Sequence, residues 1–458
     1  MSSRSTFSEV IDRRAISPFQ YAVFILCGLV LVLDGFATQS IGFLAPSIAD
    51  SIHVPVRTFG PAFASALIGL MVSSLCAGPI ADRLGRKWPI VVSTVTFATF
   101  TIATAQASSL EQLVVIRFLT GLGLGGALPN AVALASEYAP TRVRRILVTV
   151  ISCGMPLGAL LGGLISAAMI PVWGWQSVFY AGGILPLLLA LVLIRKLPES
   201  ILFLGIRSAT AVKAVAILSR IAPELGSDAI DYSSGRRAGL GRAPILALFL
   251  EGRAVGTILL WVPFFMNLLT IYFVVSWLPA LLRQAAAPIT TGIVAISLFS
   301  LGGIAGSLVQ GKLMTRWGDY RILQAEFIVT VGLMAGLAYA ATWGAIMAMG
   351  LLLGCFIQGA QAGLNALSVR YYPTAMRATG VGWALGVGRL GSIVGPVLGG
   401  LLLAREWSPR EILLAGGMPA VVAAIALLMS QLLLVRSSRN PGVGRPALGN
   451  PAMDEGAS

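Results

Sequence analysis

Charged side chains are scarce in this chain. Only 11% of its 458 residues are Asp, Glu, Lys or Arg, whereas 57% are hydrophobic. A soluble domain carries about a quarter charged residues, so most of these side chains do not face water. Apolar stretches of about twenty residues recur throughout, each long enough to cross roughly 30 Å of hydrocarbon as a helix. Because the alternating pattern of an outer-membrane barrel is absent, the composition predicts an all-α membrane protein.

Residues that supply catalysis or metal binding are few. There are four cysteines and one histidine. All four cysteines fall within apolar segments, which is typical of packing residues rather than of disulfides or metal ligands. No nucleophile, metal cluster or phosphate loop occurs outside the predicted helices, so neither an enzyme nor a cofactor is indicated. The net charge of +14 does not indicate nucleic acid, because no basic face on a soluble fold is available.

The apolar segments predict twelve transmembrane helices in two six-helix bundles. The N-terminal bundle spans 18–195 and the C-terminal bundle 255–436. A basic, hydrophilic linker at 196–254 separates them, and the chain is flanked by a short polar tail at 1–17 and a disordered tail at 437–458. With both termini in the cytoplasm, most of the 32 Lys and Arg residues lie on the cytoplasmic side. This positive-inside asymmetry predicts a multi-pass protein of a bacterial inner membrane.

The two halves repeat each other at a constant separation of 233 residues. Gly78 corresponds to Gly311, Glu137 to Arg370, Arg144 to Arg377, Gly158 to Gly391 and Gly162 to Gly395. Parallel six-helix repeats of this kind bind a solute near the membrane midplane and move it by rocking. One chain is sufficient for this, so a monomer is expected.

The loop after the second helix carries the most specific motif. It reads G-x-x-x-D-R-x-G-R-K and comprises Gly78, Asp82, Arg83, Gly85, Arg86 and Lys87. This pattern resembles the major facilitator superfamily, and the resemblance implies a cytoplasmic gate to which we also assign Glu137 and Arg370. Gly78 would allow close helix contact, and Asp82 would pair with an arginine or a helix N-terminus. The alternative is a basic loop that only sets topology. The second copy has Thr315 at the acidic position, which predicts a weaker latch.

Charges within the predicted helices are the strongest functional signal, because each is costly unless it is paired or hydrated. Asp34 lies in helix 1, Arg117 in helix 4 and Arg389 in helix 11. A guanidinium presents a planar fork that suits a carboxylate, so two such arginines favour an anionic solute. Asp34 is the candidate proton carrier, since a carboxylic acid in a low-dielectric cavity can hold a proton. An Asp34–Arg117 ion pair and a packing role for Arg389 remain alternatives.

Several aromatic side chains are placed to contact a ring. Phe36, Tyr272, Trp277 and Trp383 lie on helices expected to line the solute cavity. Together they could stack on both faces of an aromatic solute. The alternative for each is ordinary core packing.

Longer motifs resemble one family in particular. Helix 1 reads L-D-G-F-A-T-Q-S-I-G-F-L-A-P from Leu33, helix 4 reads R-F-L-T-G from Arg117, and helix 11 reads G-R-L-G-S from Gly388. These stretches closely resemble the aromatic acid:proton symporters, which import benzoate-, hydroxybenzoate- and phenoxyacetate-type anions. The resemblance implies proton coupling at Asp34 and substrate handling at Arg117 and Arg389.

One position departs from that family. Its members usually have D-G-F-D in helix 1, whereas this chain has Asp34, Gly35, Phe36 and Ala37. The second acid is absent, which predicts impaired coupling between proton and substrate. The leading hypothesis is proton-coupled import of an aromatic carboxylate, and the alternative is a proton-antiport exporter of drugs or metabolites.

Overall fold

The chain forms two compact helical units, Met1–Gly239 and Leu240–Ser458. The structure is a computed structural model, and it describes residues 11–206 except 13, residues 216–217 and 220–221, and residues 245–439 except 251, 286, 374 and 375. The predicted C-terminal tail from 440 onward, most of the predicted linker and most of the N-terminal tail lie outside the described residues.

The first unit contains seven helices in its described part, six of them longer than one or two turns. They are α1 (Pro18–Ser51), α2 (Gly60–Leu84), α3 (Lys87–Thr104), α4 (Leu110–Tyr138), α5 (Thr141–Ser152), α6 (Gly154–Lys196) and α7 (Ile201–Ile206). Within the unit, α2 packs along α4, and α1 packs along α6. The run α6 is interrupted at Gly174, whose φ of 75° is a left-handed conformation that favours glycine.

The second unit repeats this arrangement with six long helices in its described part. They are α8 (Ala254–Gln284), α9 (Ile289–Trp317), α10 (Asp319–Ala338), α11 (Trp343–Tyr371), α12 (Arg377–Ala404) and α13 (Pro409–Arg439). Here α9 packs along α11 and α8 packs along α12, as their counterparts do in the first unit.

Side-chain caps explain where several helices begin. The Ser17 hydroxyl accepts from the Gln20 backbone N at 3.3 Å, and the Gln20 side chain accepts from the Ser17 backbone N at 2.8 Å. This reciprocal pair satisfies two backbone donors at the start of α1. Before α4 and α11, the hydroxyls of Ser109 and Thr342 each accept one hydrogen bond, from the backbone N of Gln112 and of Ala345. The loops after α2 and α9 both turn at a glycine with positive φ, Gly85 at 85° and Gly318 at 89°.

The prediction of an all-α membrane protein is confirmed. Ten helical runs in the described residues are long and apolar enough to cross a membrane. The predicted number of twelve transmembrane helices is not confirmed as such. Thr141–Gly205 counts as one run of 65 residues although Gly174 interrupts it, and Lys87–Thr104 is not among the ten runs. Two helices meet at Gly174 without an intervening loop, so length and hydropathy alone do not separate them.

Matching glycine contacts give the sequence repeat a physical basis. A Cβ at Gly69 would lie 2.2 Å from Phe118 O, and a Cβ at Gly302, 233 residues later, would lie 1.9 Å from Leu351 O. Both partners are backbone oxygens at equivalent positions, so only glycine permits these helix contacts. The same correspondence relates Gly158 against Val32 O to Gly391 against Phe265 O, and Gly121 against Ala66 O to Gly354 against Phe299 O.

Candidate functional site

Arg117 on α4 is fully enclosed in the first unit, with 0% of its surface exposed. Its Nη2 donates to the backbone oxygen of Ala37 at 3.3 Å. Its Nε and Nη1 have no hydrogen-bond partner among the described residues. Ala37 itself is 0% exposed within an apolar cluster that includes Leu70, Phe97, Ala98 and Leu124. A buried guanidinium with a single long hydrogen bond is poorly compensated, and an anion would supply the missing acceptors.

Asp34 lies one turn before Ala37 on α1 and is 1% exposed. Its Oδ1 accepts a hydrogen bond from the Thr38 hydroxyl at 3.1 Å. The recorded hydrogen bond of the Arg117 side chain goes to the Ala37 backbone and not to the Asp34 carboxylate. The structure therefore places Asp34 and Arg117 in the same unit, both buried, without joining them in an ion pair.

Arg389 on α12 lies in the second unit and is half-buried. Its Nη1 lies 3.5 Å from the hydroxyl of Tyr272 on α8, which is also half-buried. This long, neutral contact leaves most donors of the guanidinium available for an anion. The sequence-predicted residues Arg389 and Tyr272 are thus brought together.

The remaining predicted aromatic residues differ in accessibility. The Phe36 ring is 8% exposed and fills the space over Gly162 and Gly182, where a Cβ would lie 2.3 Å and 2.1 Å from its carbon atoms. Trp277 is 0% exposed, and its Nε1 donates to Pro396 O at 2.8 Å. Both side chains are held by packing within their own unit.

Trp383 differs from these two because its side chain is accessible. It is 46% exposed and stacks on Trp261 with centroids 6.2 Å apart. Tyr272 and Trp383 are therefore the predicted aromatic residues that a ring could reach in this structure. Their substrate contacts remain predictions.

Arg86 and Glu137 form an ion pair in the first unit. Arg86 Nε lies 2.6 Å from Glu137 Oε1, and the carboxylate is only 7% exposed. The Ser200 hydroxyl donates to the other carboxylate oxygen at 2.5 Å. The predicted gate residues Arg86 and Glu137 are thus joined, although Glu137 is the last residue but one of α4 and Arg86 follows α2.

Glu199 completes this cluster and was missed in the sequence. Its Oε1 accepts from the backbone N of Arg86 at 2.6 Å and of Lys87 at 3.0 Å. A carboxylate at the N-terminus of α3 neutralises unpaired backbone donors and the helix dipole. The Lys87 ammonium donates to Ile194 O at 2.8 Å. The sequence does show an acid just after the sixth predicted helix, but only the folded structure shows that it contacts the loop after α2.

The other motif residues face outward. Asp82 and Arg83 are exposed. A Cβ at Gly78 would meet nothing within 4 Å, so the prediction that Gly78 allows close helix contact finds no described neighbour that requires glycine. Arg86 and Lys87 of the motif bond to Glu199, and a Cβ at Gly85 would lie 2.4 Å from the Glu199 carboxyl carbon.

The second unit carries the same ion pair with its charges exchanged. Asp319 and Arg370 lie 233 residues after Arg86 and Glu137. Arg370 Nη1 lies 2.6 Å from Asp319 Oδ1 and 2.7 Å from Oδ2. This pair was not recognised in the sequence because the acid and the base exchange places between the two halves. In addition, Thr315 replaces the acid of the motif in the second half. Thr315 donates only to Gly311 O, at 2.8 Å.

Comparison with known proteins identifies the family. The sequence matches the Major Facilitator Superfamily over residues 27–344 and 265–452. The 4-hydroxybenzoate transporter PcaK of Pseudomonas putida is 39% identical over 427 residues, covering 92% of this chain and 95% of that protein. The chain belongs to the major facilitator superfamily. It is therefore a membrane transporter and not an enzyme.

Other relatives support a more specific placement in this superfamily. The gallate transporter of Pseudomonas putida is 36% identical, covering 95% of this chain and 97% of that protein. The 3-(3-hydroxy-phenyl)propionate transporter of Escherichia coli is 34% identical, covering 90% and 94%. The resemblance to the aromatic acid branch of the superfamily is confirmed.

Solved structures of superfamily members share the fold. A bacterial homolog of the human lysosomal transporter Spinster aligns with a TM-score of 0.72 at 16% identity, covering 92% of this chain and 98% of that one. The D-xylose-proton symporter aligns with a TM-score of 0.69 at 16% identity, covering 90% and 97%. At this identity the likeness concerns the fold alone.

Proposed function

We propose that this major facilitator imports an aromatic carboxylate across the bacterial inner membrane, together with a proton and by alternating access. Its relatives include transporters of 4-hydroxybenzoate, gallate and 3-(3-hydroxy-phenyl)propionate, all of which combine a ring with a carboxylate. The chain acts as a multi-pass monomer with both termini in the cytoplasm.

The observation that carries the proposal is the incomplete pairing of Arg117. Two buried nitrogens of its guanidinium have no acceptor among the described residues. A carboxylate oxygen is a strong acceptor for guanidinium N–H groups and would supply part of the missing pairing. Because the surroundings are apolar, such a pair would be far stronger than one in water.

The second unit offers contacts of its own. Arg389 supplies a further cation, with Tyr272 beside it and the exposed indole of Trp383 on the same helix. In our proposal Arg117 and Arg389 handle the carboxylate, while Tyr272 and Trp383 contact the ring. Phe36 and Trp277 would act through their packing, and Asp34 would carry the proton.

The test is binding and uptake by purified protein in proteoliposomes, with 4-hydroxybenzoate and benzoate as probes. The acids are expected to raise the melting temperature, because a ligand that binds only the folded state stabilises it. A pH gradient, acid outside, is expected to drive uptake. Arg117→Lys and Arg389→Lys keep the charge but lose the planar fork, so each should weaken binding and uptake.

Arg405→Lys provides the matched control, because Arg405 is exposed at the end of α12. It should bind and transport like the natural chain. If neither acid shifts the melting temperature, or if both arginine variants bind like the control, the proposed substrate class is wrong. Uptake that ignores the pH gradient in the natural chain would instead reject symport while leaving the substrate class intact.

A further inference from the structure

Glu326 is a buried acid that the transport mechanism above does not use. It lies on α10, a helix of 20 residues that qualifies as a membrane span, and it is 5% exposed. Gln310 on α9 is 2% exposed, and its Nε2 donates to Glu326 Oε2 at 3.1 Å. Neither this acid nor its amide partner is among the residues predicted from the sequence.

Glycines on the neighbouring helix α11 make space for the Glu326 and Gln310 side chains, and the described neighbours add no positive charge. A Cβ at Gly359 on α11 would lie 3.4 Å from Gln310 Oε1 and 3.5 Å from Glu326 Oε1, so both oxygens face the same glycine. A Cβ at Gly363, one turn later, would lie 2.5 Å from Gln310 Nε2. No salt bridge to Glu326 is recorded among the described residues.

Described groups on the helices around Glu326 include a thiol and several hydroxyls, which are neutral or weakly acidic. The titratable neighbour on α11 is Cys355, which interacts with the charge of Glu326. On its own helix, the Thr330 hydroxyl donates to the Glu326 backbone oxygen at 2.8 Å. Tyr320, also on α10, contacts the Ser430 hydroxyl of α13 at 3.3 Å. None of these groups supplies a positive charge.

The Glu326–Gln310 pair has two unfavourable features, and protonation of Glu326 would remove both. An ionised carboxylate with a single amide donor and no cation is strongly unfavourable in an apolar interior. At the same time, Gln310 Oε1 is a buried acceptor without a donor. A protonated Glu326 removes both problems, because its O–H would donate to Gln310 Oε1 while Gln310 Nε2 continues to donate to Glu326 Oε2. The acid and the amide would then form a closed pair with two hydrogen bonds.

We propose that Glu326 is a proton-binding site of the C-terminal unit, where the proton is held against Gln310 and exchanged during transport. A proton from hydronium forms the O–H bond at Glu326 Oε1 and leaves water. On release that bond breaks and water takes the proton. The site rests on the proton symport proposed above, and it supplies a second protonatable acid to a chain that has Ala37 where its family has one.

Glu326→Gln tests the site, because an amide mimics the protonated acid and keeps a hydrogen-bonded pair with Gln310. Infrared spectra of the natural chain should contain the carbonyl band of a protonated carboxyl, which shifts in deuterium oxide and disappears in Glu326→Gln. In proteoliposomes the variant should retain counterflow exchange of 4-hydroxybenzoate but lose accumulation driven by a pH gradient. Glu111→Gln, at an exposed position in the first turn of α4, should change neither property.

Further variants keep the result interpretable. If Glu326→Gln does not fold, Gln310→Met should shift the same infrared band, since it removes the amide partner and leaves the acid in place. The site is rejected if no protonated-carboxyl band depends on Glu326 or Gln310, or if Glu326→Gln accumulates substrate like the natural chain. If the natural chain itself shows no proton-driven uptake, the proposed symport fails, and the infrared band still decides whether Glu326 holds a proton.

Discussion

Replacing Ala37 by aspartate should add one acceptor for the Arg117 guanidinium. Ala37 O already lies 3.3 Å from Arg117 Nη2, so a carboxylate on the Ala37 Cβ would come close to the guanidinium. A hydrogen bond to a charged group contributes about 1.5–3 kcal/mol to stability. The added atoms enter a closed apolar cluster, where overpacking costs about 1–3 kcal/mol. The two effects nearly cancel, so the single variant would show little change in unfolding free energy.

A double-mutant cycle separates the two contributions. Ala37→Asp is made in the natural chain and in Arg117→Gln, and unfolding is measured in detergent, with Ala37→Asn as the uncharged control of similar size. The carboxylate should be more favourable in the presence of Arg117 by about 1.5–3 kcal/mol, and the amide by much less. A coupling energy near zero for aspartate would refute the pairing inferred for Arg117.

The same variant tests transport. Ala37→Asp restores the acid found in the aromatic acid symporters, so uptake driven by a pH gradient should increase relative to the natural chain. Ala37→Asn should not produce this increase, because it cannot exchange a proton. Equal uptake by Ala37→Asp and the natural chain in proteoliposomes would contradict a coupling role for this position.

Two further predictions concern the scaffold. Gly158→Ala should destabilise the first unit severely, because its Cβ would lie 1.7 Å from Val32 O, whereas Gly78→Ala should be tolerated because nothing lies within 4 Å; melting temperatures of the two variants decide this. Glu137→Gln should lower the unfolding free energy more than Asp319→Asn, because the Glu137 carboxylate is 7% exposed and that of Asp319 is 16% exposed. The reverse order would show that the pair in the first unit is the weaker one.

Much of the fold was predictable because the membrane imposes it. Long apolar runs must satisfy their backbone internally, so helices follow from composition. The repeat was also visible, since glycines at helix contacts tolerate no side chain and recur at equivalent positions. The junction at Gly174 joins two helices with a single left-handed residue and no polar loop, so the two spans form one continuous helical run.

The site was predictable only in part. Arg117 and Arg389 stood out because charge inside an apolar helix is expensive. Their partners did not stand out, since the Ala37 backbone oxygen and the Tyr272 hydroxyl become neighbours only through packing. Glu199 and Gln310 were missed for the same reason, as each meets its partner across a helix contact.

The exchanged ion pairs bear on how a duplicated chain avoids assembling wrongly. Because the halves share their glycine contacts, the loop of one could in principle dock beside the helix end of the other while the protein is being made. Such a mistake would set Arg86 against Arg370 or Asp319 against Glu137, and like charges in contact repel. When a loop meets a helix end, opposite charges face each other only if both segments come from the same half.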